Sequence, residues 1–304
     1  MSPQDLGVQM TIRPRRSVLY MPGSNERALE KAKSLPADGL ILDLEDSVAP
    51  EAKDIARRQV AAAVKAGGFG PREVIVRVNG LDTPWANEDM AAVAACGADA
   101  ILFPKIQSAA DVLQAVELMN RVGTPELTPL WIMAETPRCI LNIEPIAKAN
   151  RRLKCIVAGT SDLGRELRTR YTPARDGVYA SLALIVLAAR AHGLDALDGV
   201  HLDLADEAGL VTVCVQGRNM GFDGKTLIHP KQIETANRAF APSDAELDAA
   251  RTVVAAWKEA RAQGKGICVV NGRLIEKLHV DEFERLIALH EAIIDRDRAA
   301  AAAE

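Results

Sequence analysis

Acidic side chains and one arginine stand where short apolar runs of this chain end. Glu135 closes the run PLWIMAET (129–136) and Asp162 closes CIVAGTSD (155–162). Hard divalent cations take carboxylate oxygens, and Mg²⁺ uses one or two carboxylates with water and substrate filling the remaining positions. Consecutive runs can bring Glu135 and Asp162 to one ion. Asp162 has a second reading, as the N-cap of the helix that TSDLGREL begins. Glu135 has less use as a cap, because Thr136 already fills that role ahead of Pro137, and an unpaired buried glutamate is costly. Arg77 lies among valines in EVIVRVNG (73–80). A guanidinium buried there needs an anion, either the carboxylate of a ligand or an ion pair with Glu45 or Asp46 on the neighbouring run.

The other tips carry less. Arg16 precedes the first run, and Gly23 and Ser24 follow it. Free amides at a helix start favour an anion such as phosphate, though a plain turn and cap accounts for the same residues. His201 and His229 read as core or rim histidines. No two histidines fall at metal-ligand spacing, and no His-rich or Cys-rich cluster competes for zinc or iron.

The elements that must position these groups are eight β-rich runs: SVLYMP (17–22), GLILDLED (39–46), EVIVRVNG (73–80), AILFPKI (100–106), PLWIMAET (129–136), CIVAGTSD (155–162), GVHLDLAD (199–206) and GKTLIHP (224–230). Segments of helical spacing separate them. In Glu51–Lys65, Ile55, Val60 and Val64 share a face. In Asp111–Arg121, Val112, Leu113, Val116 and Met119 do so. Ser108 with Asp111, and Ser243 with Glu246, have the spacing of capping boxes. Alternation of strand and helix implies parallel strands joined by crossovers. The fold class expected is α/β, a (β/α)₈ barrel over residues 1–242, with an open doubly wound sheet as the alternative. No GxGxxG follows the first run, which favours the barrel. In a barrel the run ends, including Asp43 and Lys105, meet on the face where such folds carry their sites. Residues 243–304 read as an appended C-terminal helical arm: a long Ala-rich helix over 243–263, a Gly-punctuated β-rich loop, a helix over 279–298, and a frayed AAAAE.

Composition narrows the classes. The chain has 304 residues, 48% hydrophobic, with a net charge of −4 and only 4% aromatics. Mixed charge and few aromatics argue against nucleic-acid binding. No apolar run reaches the length of a membrane span, and MSPQDLGVQMTIRPRR lacks the apolar core of a signal peptide. Five scattered cysteines without a CxxC pair suggest reduced thiols in a cytoplasmic protein.

Seven stretches, in order over roughly residues 15–240, resemble the CitE-like branch of the HpcH/HpaI family: RSVLYMPGSNERALEKA, GLILDLEDSVAP, VIVRVNG, FPKI, AETPRCILNIEPIA, AGTSDLGRELR and GFDGKTLIHPKQIETAN. The family comprises CoA-ester carbon–carbon lyases such as malyl-CoA lyase, citramalyl-CoA lyase and the citrate lyase β subunit. The resemblance implies a TIM barrel with Mg²⁺ on Glu135 and Asp162, and Arg77 gripping a small keto or hydroxy acid. Glu45 and Asp46 would support the metal's waters. Arg16 would face the CoA side of the site, and Lys31 would meet a CoA phosphate. It also implies homotrimers or dimers of trimers, with the arm closing as a lid over a neighbour's site. The family's catalytic carboxylate sits in a GKMVD-like turn; here NGRLIEKL places Glu276 there, one methylene longer. The activity the resemblance implies is Mg²⁺-dependent, reversible cleavage of malyl-CoA or citramalyl-CoA to acetyl-CoA and glyoxylate or pyruvate; the alternatives are thioester hydrolysis of malyl-CoA and a subunit role like that of citrate lyase β. Glu276 could also be only a surface acid beside Lys277.

Overall fold

The structure, a computed structural model, describes residues 12–302. The N-terminal residues 1–11 and the last two of the AAAAE tail lie outside the described residues. The chain divides into a compact unit Arg15–Phe240 and a second that holds residues 241–302.

The first unit is a closed barrel of eight parallel strands: β1 (Ser17–Pro22), β2 (Gly39–Asp43), β3 (Glu73–Arg77), β4 (Ala100–Phe103), β5 (Leu130–Ala134), β6 (Leu153–Ala158), β7 (Asp195–Asp198) and β8 (Gly224–Leu227). They pair in chain order, and β8 returns to β1, so the open-sheet alternative is excluded. The helices between them are α1 (Glu26–Ala32), α2 (Lys53–Ala66), α3 (Ala86–Val93), α4 (Ala109–Arg121), α5 (Pro137–Leu141), α6 (Ile143–Ala147), α7 (Thr160–Leu167), α8 (Asp176–Ala191), α9 (Glu207–Met220) and α10 (Ile233–Phe240).

Strand side chains alternate between two cores because successive residues point to opposite faces. Val18, Ile41, Ile75, Trp131, Cys155 and Leu197 fill the barrel interior. Leu19, Leu40, Val76, Ile101, Ile132 and Ile156 face the helices. The N-terminal mouth is closed by Arg15. Its guanidinium forks onto Glu73 at 2.6 and 2.7 Å, pairs with Asp195 and stacks 5.0 Å from the Trp131 ring centre.

Several expectations need correction. The seventh strand is Asp195–Asp198, and residues 199–206 form the loop after it. The strand carries two aspartates in four residues, so it does not read as a buried run. Asp195 is held by Arg15, while Asp198 faces outward to Arg175 at 2.7 Å and Lys225 at 3.1 Å. Residues 159–162 are likewise not strand, because α7 begins at Thr160. Ile55 and Leu113, placed on apolar helix faces by spacing, are about half exposed at 47% and 51%. The capping boxes at Ser108 and Ser243 form, as does the Thr136 cap with Pro137 in the first turn.

The second unit contains α11 (Asp244–Ala262), an antiparallel hairpin of β9 (Cys268–Val270) and β10 (Arg273–Ile275), and α12 (Lys277–Ala302). Its own small core is Val253, Val254, Trp257, Ile275 and Val280. The five cysteines are free, four of them buried. No helix among the described residues is long and apolar enough to cross a membrane.

Candidate active site

Closure of the barrel puts the C-terminal ends of β2 to β6 around one cup. Asp43 and Arg77 are register partners on β2 and β3, and both point inward. Arg77 donates from Nε and Nη2 to the two Asp43 oxygens at 2.7 and 2.8 Å. Its remaining nitrogen, Nη1, lies 2.7 Å from Glu45 Oε2 and 3.6 Å from Asp46. The Tyr20 ring lies under the guanidinium, 4.7 Å from its carbon. The arginine is thus held on one edge by Asp43 and stacked on one face, while Nη1 lies beside Glu45 and donates to the Met133 sulfur at 3.7 Å. Its ion pairing is what the sequence allowed as an alternative to substrate binding, but the principal partner is Asp43 rather than Glu45 or Asp46.

Burial opposes the charge of Asp43, yet the Arg77 charge and its hydrogen bonds hold the carboxyl below its usual range. Burial dominates at Glu45. The Arg77 charge counteracts it only in part, Asp46, Glu135 and Asp43 add to it, and the carboxyl is pushed up to about 8. Glu45 Oε2 is close to Arg77 but has no aligned hydrogen-bond donor. The loop bearing it is clamped from below. Lys53 Nζ donates to the carbonyls of Leu44 and Glu45 at 2.8 Å and to Asn79 Oδ1 at 2.7 Å. The Glu45 and Ser47 amides donate to Asp43.

On the other side of the cup, Glu135 follows β5 and is 2% exposed. Its Oε1 accepts the Lys105 amide at 2.7 Å. Ala134 and Ala158 are register partners, so Gly159 falls opposite Glu135. A Cβ on Gly159 would lie 2.3 Å from Glu135 Cβ, so the glycine lets the carboxylate sit there. Asp162 stands in the first turn of α7 but makes no capping bond to that helix; its side chain pairs with Lys105 and, at 2.9 Å, with Arg165. The capping reading of Asp162 therefore does not describe this structure. Lys105 Nζ also lies 3.5 Å from Glu135 Oε1, so one ammonium joins both carboxylates. Burial raises the Glu135 pKa more than the Lys105 charge lowers it. Burial works against the Lys105 charge, but the two carboxylates outweigh it and raise its pKa.

This donor set fits a hard divalent ion. Glu135, just after β5, and Asp162, in the first turn of α7, converge on a place already occupied by positive charge, and two carboxylates are a number that Mg²⁺ typically takes from a protein. No group of three or more His, Cys, Asp or Glu side chains suited to a metal occurs among the described residues.

A model of the HpcH/HpaI aldolase/citrate lyase family matches residues 16–230. The chain belongs to that family. It is 51% identical over 280 residues to a (3S)-malyl-CoA thioesterase of Cereibacter sphaeroides, covering 92% of this chain and 96% of the relative. It is 38% identical over 278 residues to the citrate lyase β subunit of Escherichia coli, covering 90% and 92%. Among solved structures it resembles CitE of Mycobacterium tuberculosis in complex with magnesium, acetoacetate and coenzyme A, with a TM-score of 0.72, 30% identity, and coverage of 90% and 97%. As a CitE-like member of the HpcH/HpaI family, the chain is an enzyme of a group that includes CoA-ester lyases.

The HpcH/HpaI resemblance gave roles to other residues too. Arg16 is a correction. It precedes β1 at the N-terminal mouth, 5% exposed, and forks onto Asp38 with two bonds of 2.8 Å. Parallel strands place that mouth opposite the cup, so Arg16 does not face it. Lys31 is exposed in the last turn of α1. Glu276 is exposed immediately before α12, where its carbonyl accepts the His279 and Val280 amides. His201 and His229 have local partners: His201 Nε2 meets the Asp206 carbonyl at 3.2 Å, and His229 Nδ1 accepts the Lys231 amide. Asp43 and Lys105 were legible as strand-tip residues, but nothing in spacing assigned them a partner. Tyr20 carried no signal of a site at all.

Proposed function

We propose that this chain is a Mg²⁺-dependent enzyme of 3-hydroxyacyl-CoA chemistry that hydrolyses a malyl-CoA-type thioester. One observation carries the reading: Glu135 and Asp162 converge on a single cationic position in the same cup as an Arg77 fixed by Asp43. The thioesterase relatives at 51% identity support the choice of bond, and so does the departure at Glu276.

Glu135 and Asp162 would hold the Mg²⁺, which when bound supplies Lewis acidity and a template for the acid half of the substrate. Arg77 Nη1 faces the substrate carboxylate as a charge-assisted donor, and Asp43 keeps it from turning away. Glu45 and Asp46 accept hydrogen bonds from water at the same rim. Glu276, brought by the arm of a neighbouring chain in a homotrimer or dimer of trimers, takes a proton from water. The water oxygen bonds to the thioester carbon, the carbon–sulfur bond breaks, and the proton passes to the departing CoA sulfur. The products are the free hydroxy acid and CoA. Exclusion of bulk water by the arm strengthens every charge interaction in the cup.

A second reading is supported by the citrate lyase β relatives. There the carbon–carbon bond of malyl-CoA or citramalyl-CoA breaks, glyoxylate or pyruvate leaves, and the Glu276 carboxyl protonates the acetyl-CoA enolate. Incubation of the purified protein and Mg²⁺ with each CoA ester, followed by mass identification of all products, separates the two. Malate with free CoA supports hydrolysis, whereas a 2-oxo acid with acetyl-CoA overturns it in favour of the lyase. The free thiols agree with a reducing compartment such as the cytoplasm.

A further inference from the structure

Lys105 is the strand-tip residue that the proposed chemistry leaves without a task, and its geometry is unusual in three respects. Its backbone is left-handed, with φ of 56°, a conformation that a side chain with a Cβ adopts only at a cost. Its amide is fixed to Glu135 Oε1 at 2.7 Å. Its ammonium then folds back to meet both Glu135 and Asp162. The strained turn serves to bring backbone and side chain of one residue to the same pair of carboxylates.

We infer that Lys105 is a tethered counter-cation: its ammonium neutralises Glu135 and Asp162 when no metal is bound and must swing away for a divalent ion to enter. This rests on the reading of Glu135 and Asp162 as the metal ligands. Arg165 reaches only Asp162, at 2.9 Å, so without Lys105 the buried Glu135 would face a second carboxylate with no ion-pair partner among the described residues, and like charges so placed disfavour each other. A resident ammonium keeps the pair assembled. A dication and the ammonium cannot both sit between the same oxygens, so the two compete. The side chain has somewhere to go. It is 31% exposed, and it borders an open cavity of about 530 Å³ lined also by Asp82, Gln107, Asp111, Gln114 and Arg138. Asp82 gives that cavity an acidic group to receive it, while Asp111 Oδ2 is engaged by the Gln107 and Ser108 amides in the capping box of α4.

The consequence is a metal affinity set below what the two carboxylates alone would give. Only the fraction of molecules with the ammonium displaced is competent to bind, and the apparent dissociation constant is raised by that fraction. The amide bond to Glu135 does not depend on the ammonium and stays in either state.

Two measurements on the full chain test this. Calorimetric titration with Mg²⁺ should show Lys105→Met binding about tenfold more tightly than the wild type, while its metal-free melting temperature falls below the wild-type value. Equal or weaker binding by a folded Lys105→Met variant overturns the inference. In the wild type, limited acylation of lysine amines followed by peptide mapping should show Lys105 more reactive with saturating Mg²⁺ than without it. Unchanged or lower reactivity also overturns it. If the wild type binds no Mg²⁺, the metal reading itself is wrong and this inference falls with it. If it binds but Lys105 stays shielded, the metal reading stands and the counter-cation role alone is lost.

Discussion

Asp43 holds Arg77 by one edge of its guanidinium, through Nε and Nη2 at 2.7 and 2.8 Å, across a register pair of β2 and β3. Both side chains are buried, so neither can be removed without stranding the other. Asp43→Asn should destabilise the fold by about 3 kcal/mol, the low end for breaking a buried pair, because Glu45 remains beside Nη1. In the folded fraction the KM for the CoA ester should rise more than kcat falls, since the freed arginine no longer faces the acid. Denaturant unfolding and steady-state kinetics on the same preparation check both.

Gly159 is needed for its lack of a side chain and not for a special backbone angle. A methyl group there would overlap Glu135 Cβ at 2.3 Å and its Oε2 at 2.8 Å. Gly159→Ala should therefore displace Glu135, cost about 2 kcal/mol through overpacking and weaken Mg²⁺ binding. Gly164→Ala on the same helix meets only Thr169 Oγ1, at 3.4 Å. It should leave metal binding unchanged and stability equal or up to about 1 kcal/mol higher. Calorimetric metal titration of the two variants gives the comparison.

Glu45 links stability to pH. Its carboxyl is pushed up to about 8 in the fold from a usual 4.5, mainly by burial. The folded state therefore binds a proton that the unfolded chain has already lost between those values. The stabilisation is complete below about pH 4.5, declines through the interval to about pH 8 and is absent above it. Asp43, whose carboxyl is held low, acts in the opposite sense but only in more acidic solution. Melting temperatures of metal-free protein from pH 5 to 9 should fall with rising pH, and Glu45→Gln should remove that component of the slope.

In the proposed reaction, Glu276 is the group on which the choice of bond turns. Glu276→Ala should reduce kcat by at least about 100-fold, as expected for loss of a general base, with little change in binding of the free hydroxy acid. Glu276→Asp tests the extra methylene. If hydrolysis depends on the longer reach, the shorter acid should lose hydrolysis selectively in product analysis.

The barrel was legible because its signal is repeated: apolar runs separated by helical spacing, each within a few residues of a real strand. The failure at β7 shows the limit of that signal. A four-residue strand with a half-exposed Asp195 and a buried Asp198 carries charges that are satisfied by Arg15, Arg175 and Lys225, and those partners lie outside the strand in the sequence. The same cause explains Arg16. An arginine beside the first strand reads as a ligand-binding group until the fold delivers Asp38 to it at 2.8 Å. Glu135, Asp162 and Arg77 were visible as polar residues at the ends of apolar runs. Their organisers Asp43, Tyr20, Lys105 and Gly159 act through register and close approach, which only the closed sheet defines.

The most direct test of the account is a titration with Mn²⁺ followed by electron paramagnetic resonance on the wild type, Glu135→Gln and Asp162→Asn. The account predicts one Mn²⁺ per wild-type chain, displaced by Mg²⁺, and affinity lower by at least about tenfold in each variant, as loss of one of two carboxylate ligands requires. Wild-type affinity in both folded variants would contradict it.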